Sequence, residues 1–205
     1  DREKFAGAEE TYTIEAMMHD GKALQSGTSH YFGQGFAKAF GIQFADKQNN
    51  LSYVYQTSWG ISTRLLGGII MTHGDNEGLV LPPAVAPIQV AVVPVAQHKP
   101  GVLEKAAEVA QALRDAGFRV KLDDSEQSPG WKFAEYEMRG VPLRIELGPR
   151  DIEQGVCVVV RRDNREKMTV ALEQLPQAVA QQLDEFAKAI YKKAKDNLEQ
   201  NTVSA

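Results

Sequence analysis

A chain of 205 residues with 27 acidic and 23 basic side chains carries a formal net charge of −4. That balance excludes nucleic-acid binding by bulk positive charge and leaves only a local basic face for such contacts. The length suits one large or two small domains, each able to bury a core, and no apolar run reaches the ~18 residues of a membrane helix.

The start is not signal-like, which points to a reducing, cytoplasmic setting, and an opening at Asp1 without methionine is what a processed or truncated chain would show. Alternation from Thr11 to Ala16 predicts a strand, and Asp20-Gly21 a turn. From Gly21 to His30 polar side chains are packed between glycines, a turn-rich segment in which Gln25, Thr28 and His30 could converge on a ligand; a lone histidine there equally suits a capping role. A helix over Tyr31 to Phe40 would align Phe32, Phe36 and Phe40 as core. Asn49-Asn50 then separates Phe44 from the β-prone run Leu51 to Gln56.

After a Gly60 turn, an apolar helix is expected from about Ser62 to Met71, with Arg64 near its start. Glycine lets a backbone approach a ligand with no Cβ in the way, and an arginine offers phosphate a planar fork of donors beside the amides of a helix N-terminus. The bland reading of Arg64 is a surface arginine on an amphipathic helix. His73 and Asp75 lack a third spaced ligand, so a turn is expected there and no metal is assigned.

Pro82, Pro83 and Pro87 precede the apolar run Ile88 to Val95, which reads as a buried, often parallel strand, and place a domain boundary between residues 86 and 87. A helix Val102 to Ala116, a strand Phe118 to Leu122 and a helix Trp131 to Met138 follow. Strands are expected at Leu143 to Leu147, Val156 to Val160 and Met168 to Val170, then a long helix from Leu175 to Leu198. This alternation predicts an α/β layer for residues 87–205. Cys157, the only cysteine, sits in an apolar strand and reads as structural, so neither a disulfide nor a cysteine-based zinc site is expected. Lys192, Lys193 and Lys195 suit a solvated helix end.

Gly27-Thr28-Ser29-His30, Gln34, Thr57-Ser58-Trp59-Gly60, Thr63-Arg64, His73-Gly74-Asp75-Asn76 and Gly78-Leu79-Val80-Leu81-Pro82-Pro83 together resemble prolyl-tRNA synthetase, in its archaeal and eukaryotic-like branch. Downstream, Ser128-Pro129-Gly130-Trp131-Lys132-Phe133, Arg139-Gly140-Val141-Pro142, Glu146-Leu147-Gly148-Pro149-Arg150-Asp151 and Arg161-Arg162-Asp163 resemble that branch's anticodon-binding domain. The resemblance runs over nearly the whole chain in order. It implies an α/β protein of two parts: residues 1–86 as part of an antiparallel class II catalytic sheet, and residues 87–205 as a three-layer anticodon-binding domain with a mixed sheet.

The implied activity is formation of prolyl-adenylate from L-proline and ATP, with Mg2+ accompanying the nucleotide, and transfer of the prolyl group to tRNA(Pro) by a cytoplasmic homodimer. Such chemistry needs positioning and charge neutralisation more than a protein nucleophile. By resemblance Arg64 contacts the ATP γ-phosphate, Gln25 and Thr28 line the nucleotide site, and His30, Ser58, Trp59 and Gly60 line the proline pocket, with Trp59 as apolar wall. Lys132, Glu146, Arg150, Arg161 and Arg162 are placed at the anticodon. Its two guanines offer donors to a carboxylate such as Glu146 and acceptors to an arginine such as Arg150. Each of these charges could instead be one half of a surface ion pair.

Departures from the family pattern set further expectations. The first two class II motifs, with the arginine that holds the α-phosphate, would lie before Asp1, and the family's C-terminal domain would follow Thr202, so the isolated chain is expected to be inactive. Ala84 stands where the family usually has arginine after Leu-Pro-Pro. The competing expectation is a non-catalytic tRNA-binding accessory protein that keeps the architecture without the chemistry; the intact set of Gln25, Thr28, His30, Trp59 and Arg64 argues against it.

Overall fold

Polar and apolar residues alternate along β1 (Glu10–Met17), which pairs antiparallel with β2 (Ala23–Gly33) in the computed structural model, which describes residues 4–18 and 20–203. The expected helix over Tyr31 to Phe40 is replaced by the end of β2 followed by the short helix α1 (Gly35–Phe40). The reason is pairing on both sides: His30 lies opposite Thr11 on one flank and Ser58 on the other, so the ladder satisfies the backbone that a helix would otherwise claim. Gly33 ends the strand at φ +52°, where an added Cβ would run into Glu9. Phe32 is buried and meets Phe36 edge-on at 4.9 Å, but Phe40 is 73% exposed and is not core.

The hairpin β3 (Gln43–Ala45) and β4 (Leu51–Tyr53) closes through Asp46, whose Oδ1 accepts from the amides of Gln48 and Asn50. Next come β5 (Gln56–Ile61) and α2 (Arg64–His73). The main sheet of this part is wholly antiparallel, in the order β1-β2-β5. Gly60, expected in a turn, lies within β5.

The chain divides between Thr72 and His73 into two compact units. In the second, β6 (Val90–Pro94), α3 (Val102–Asp115), β7 (Val120–Leu122), α4 (Pro129–Met138), β8 (Leu143–Leu147), α5 (Pro149–Glu153), β9 (Val156–Arg161), β10 (Lys167–Ala171) and α6 (Leu175–Asn201) follow in that order, as predicted except for α5, a short helix that the sequence reading did not expect. The sheet runs β10-β9-β8-β6-β7, parallel where β6 meets β7 and β8 and antiparallel beyond. Val90, Val92, Leu143, Ile145, Cys157 and Val159 point to one face and pack on α3 and α6; Ala91 and Val93 point to the other and pack on α4 through Tyr136 and Phe133. The result is the expected three-layer α/β arrangement on a mixed sheet.

Residues 73–86 also belong to this second unit. Gly140, at φ +70°, lets the chain pass so close to Leu79 that a Cβ would lie 2.6 Å from the Leu79 carbonyl carbon. Val80 packs with Phe186 and Ile190 of α6. The Arg119 guanidinium donates to the carbonyls of Pro83, Ala84 and Ala86, so the stretch around Ala84 is held through its backbone. Among the described residues no helix is long and apolar enough to cross a membrane.

Candidate active site and nucleic-acid interface

Directly opposed residues of an antiparallel pair share a sheet face. Thr28 opposes Gly60, and His30 opposes Ser58, so these four residues stand on one face of the first unit's sheet. At its edge Gln25, Ser26, Gly27, Thr28, Gly60, Ile61, Ser62 and Arg64 line an open cleft of about 320 Å³. Arg64 is the first residue of α2; its backbone N–H donates to Ser62 Oγ at 3.3 Å, and its Nη1 donates to the Gln25 carbonyl at 3.3 Å. A Cβ built on Gly60 meets no atom within 4 Å, so the space in front of this backbone is open to a ligand.

His30 is half-buried, with Nδ1 3.0 Å from Thr11 Oγ1 and its ring against Phe5 at 4.9 Å and Phe32 at 6.0 Å. Trp59 is separated from this group. It opposes Ser29, and because side chains alternate along a strand it stands on the other sheet face from Ser58 and His30, 76% exposed. The apolar wall beside His30 is therefore Phe5 with Phe32. The sequence carried no signal for Phe5, which is remote from the strand it packs on.

In the second unit the five expected anticodon residues fall into two groups. Lys132, Arg161 and Arg162 are buried cross-links. Lys132 is 1% exposed and its Nζ donates to Gln97 Oε1 and the Asp123 carbonyl, both at 2.9 Å. Arg161 forks onto Asp163 and also reaches Gln182 and Glu185. Arg162 forks onto Asp75 at 2.6 and 2.8 Å while its Nε donates to the Glu137 carbonyl at 2.8 Å. Motif resemblance and charge were the sequence cues for these three, and neither reports burial.

Arg150 is exposed, and its guanidinium has no partner among the described residues, whereas Glu146 accepts from Arg144 Nε and Nη2 at 3.1 and 2.9 Å, with Lys167 at 3.4 Å. Arg144 is the residue that sequence reading missed. Its guanidinium carbon lies 4.2 Å from the Phe133 ring centroid, and its Nη1 donates to Glu137 Oε1 at 2.6 Å. A signal existed: Arg144 and Glu146 alternate with Leu143, Ile145 and Leu147, which puts two charges on one face of an otherwise buried strand. Beside them, on the same face, β9 and β10 present Val158, Lys167 and Thr169, the last two exposed. Arg144 is itself buried, 7% exposed, with its donors committed to Glu137, Glu146 and the Phe133 carbonyl, so it orders the two carboxylates beside the open strip of sheet.

The electrostatics follow the same division. The fork from Arg162 holds the Asp75 carboxyl down at about 2, from an ordinary 3.8, with burial acting the other way. Because the folded value is depressed, the stability it supplies is present above the ordinary carboxylate value and is lost as pH falls through about 2. Asp75→Asn is expected to flatten that acid limb, as read by urea unfolding between pH 5 and about 2; an unchanged limb would refute the assignment. Burial, with a smaller contribution from Asp151, pushes the Cys157 thiol up to about 12, which suits an inert core residue. Among the described residues no three His, Cys, Asp or Glu side chains are grouped to hold a metal ion.

Comparison with known proteins adds the family. Residues 89–182 match the family described as anticodon binding domain. Over all 205 residues the chain is 63% identical to a proline--tRNA ligase of Lachnospira eligens, 62% to one of Ruminiclostridium cellulolyticum and 57% to one of Clostridium botulinum. Each alignment takes in 100% of this chain and 43% of the relative. Along its whole length the chain is thus similar to 43% of a proline--tRNA ligase, and residues 89–182 match an anticodon binding domain.

Proposed function

We propose that these residues form part of a proline--tRNA ligase that activates L-proline with ATP and passes the prolyl group to tRNA(Pro), working in the cytoplasm as a homodimer. The observation that carries this reading is Arg64, fixed at the first turn of α2 and aimed across a cleft whose other side is Thr28 and the open backbone of Gly60. In that cleft Arg64, with Gln25 and Thr28, takes the polyphosphate, and the arginine stabilises charge on the departing pyrophosphate. His30, Ser58 and Gly60, on one sheet face with Phe5 and Phe32 behind the histidine, take proline. Mg2+ accompanies the nucleotide in this reading.

In the functional division at residues 86 and 87, the second part reads the anticodon. Glu146 and Arg150 act there, with Arg144 and Arg162 holding Glu146 and Glu137 in place from within, while Lys132 and Arg161 tie other parts of the same unit together. The test is a chimera in which these 205 residues replace the matching stretch of the Lachnospira eligens ligase. It is expected to catalyse proline-dependent exchange of pyrophosphate into ATP and to charge tRNA(Pro). Within it, Glu146→Ala or Arg150→Ala should lower charging by ~10-fold, about the 1–3 kcal/mol of one base contact, with exchange unchanged. A chimera without exchange sinks the catalytic reading, and equal loss of both steps sinks the anticodon roles.

A further inference from the structure

A row of polar side chains crosses the first unit's sheet: Thr11 of β1 opposes His30 of β2, which in turn opposes Ser58 of β5. Residues opposed in this way share a face, so Thr11 stands on the face given to proline above. It is half-buried there, and its Oγ1 lies 3.0 Å from His30 Nδ1. A threonine hydroxyl can give or take a hydrogen bond, so Nδ1 is engaged in either ring tautomer. The two ring nitrogens point in diverging directions, and Nε2 has no hydrogen-bond partner among the described residues.

What the hydroxyl adds is a choice that packing cannot make. Phe5 and Phe32 meet the imidazole at 4.9 and 6.0 Å between ring centroids, with interplanar angles of 39° and 33°. Such contacts set the plane of the ring, but the torsion that turns it is roughly two-fold, and a half-turn puts a carbon where each nitrogen stood. Apolar neighbours see little difference between the two orientations. A hydroxyl beside Nδ1 separates them, because only one of them makes the bond. Branching at Cβ restricts Thr11 itself to few rotamers, so its hydroxyl is well placed.

We propose that Thr11 is the positioning residue of His30: it selects the ring orientation that leaves Nε2, and not a ring carbon, for the polar end of L-proline. The inference rests on the function proposed above and adds to it a residue that does not itself line the cleft. A ring free to turn weakens the hold on proline and leaves the polyphosphate contacts alone, so the effect falls on one substrate.

In the chimeric ligase Thr11→Val keeps the β-branch and the shape and removes the hydroxyl. Pyrophosphate exchange is expected to show KM for proline raised by about 5-fold, the scale of one hydrogen bond, with kcat and KM for ATP within about 2-fold of the parent. Thr11→Ser, which restores a hydroxyl, should bring KM for proline back to within about 2-fold. His30→Ala removes the group through which Thr11 acts, so adding Thr11→Val to it should raise KM for proline no further. An unchanged KM in Thr11→Val overturns the proposal, as does an equal rise with and without His30, or a loss that serine does not recover. A parent chimera without exchange removes the function and this role with it, whereas a parent with exchange whose Thr11→Val variant keeps its KM removes the role alone.

Discussion

Arg64→Ala in the chimeric ligase is expected to slow prolyl-adenylate formation by ~10²-fold or more, the scale seen when one preorganised charge-stabilising donor is lost. The side chain is anchored by one donor on the Gln25 carbonyl, and the rest of the fork is left for a ligand in the cleft. An arginine held in this way loses little entropy when it binds phosphate, which is why its contribution appears in the rate. Arg64→Lys should recover only part of the loss, because an ammonium keeps the charge but not the planar fork. Pyrophosphate exchange at saturating proline and ATP reads the effect. A fall of less than ~3-fold for Arg64→Ala, against the range expected for such donors, would return Arg64 to the status of a surface residue.

The second unit was largely legible because its signals are local. The run Val90–Pro94 is apolar throughout and proves fully buried, and Val179, Leu183, Phe186 and Ile190 repeat at helical spacing on the buried side of α6. The first unit hid its central strand. From Ala23 to Gly33 glycine and polar residues weaken any period-two pattern, and only pairing with β1 and β5, distant in sequence, makes it a strand. Resemblance grouped Trp59 with His30, but residues adjacent along a strand face opposite ways, and pairing with β2 sets Trp59 on the other sheet face from Ser58 and His30. Arg64, Thr28 and Gly60, which motif resemblance divided between a nucleotide site and a proline pocket, all line one cleft. Resemblance gave no means of separating Arg150, which is exposed, from Lys132, which is interior: both are cations in quoted motifs, and exposure depends on which layer lies above them.

Lys132 carries the largest expected stability effect. It reaches from α4 to the segments following β6 and β7, joining Gln97 and Asp123 at the edge of the sheet, with its side chain 1% and that of Asp123 9% exposed. Lys132→Ala removes a buried cation and leaves Asp123 without its counter-charge, and breaking one side of such a pair costs about 3–5 kcal/mol. Lys132→Met keeps the volume of the stem and isolates the electrostatic part, so it should cost less than alanine while still destabilising. The pH profile gives an independent signature. Burial drives the Asp123 carboxyl upward, but hydrogen bonds from Ser125 and the charge of Lys132 outweigh it, leaving the group below its ordinary 3.8. A depressed folded value means stability present above the ordinary carboxylate range and lost as pH falls below it. Without Lys132 burial has less to oppose it, so both variants should lose stability at neutral pH and show a weaker fall on acidification. Urea unfolding at pH 7 and pH 3 measures both. Equal destabilisation at the two values would mean that Lys132 acts through packing alone.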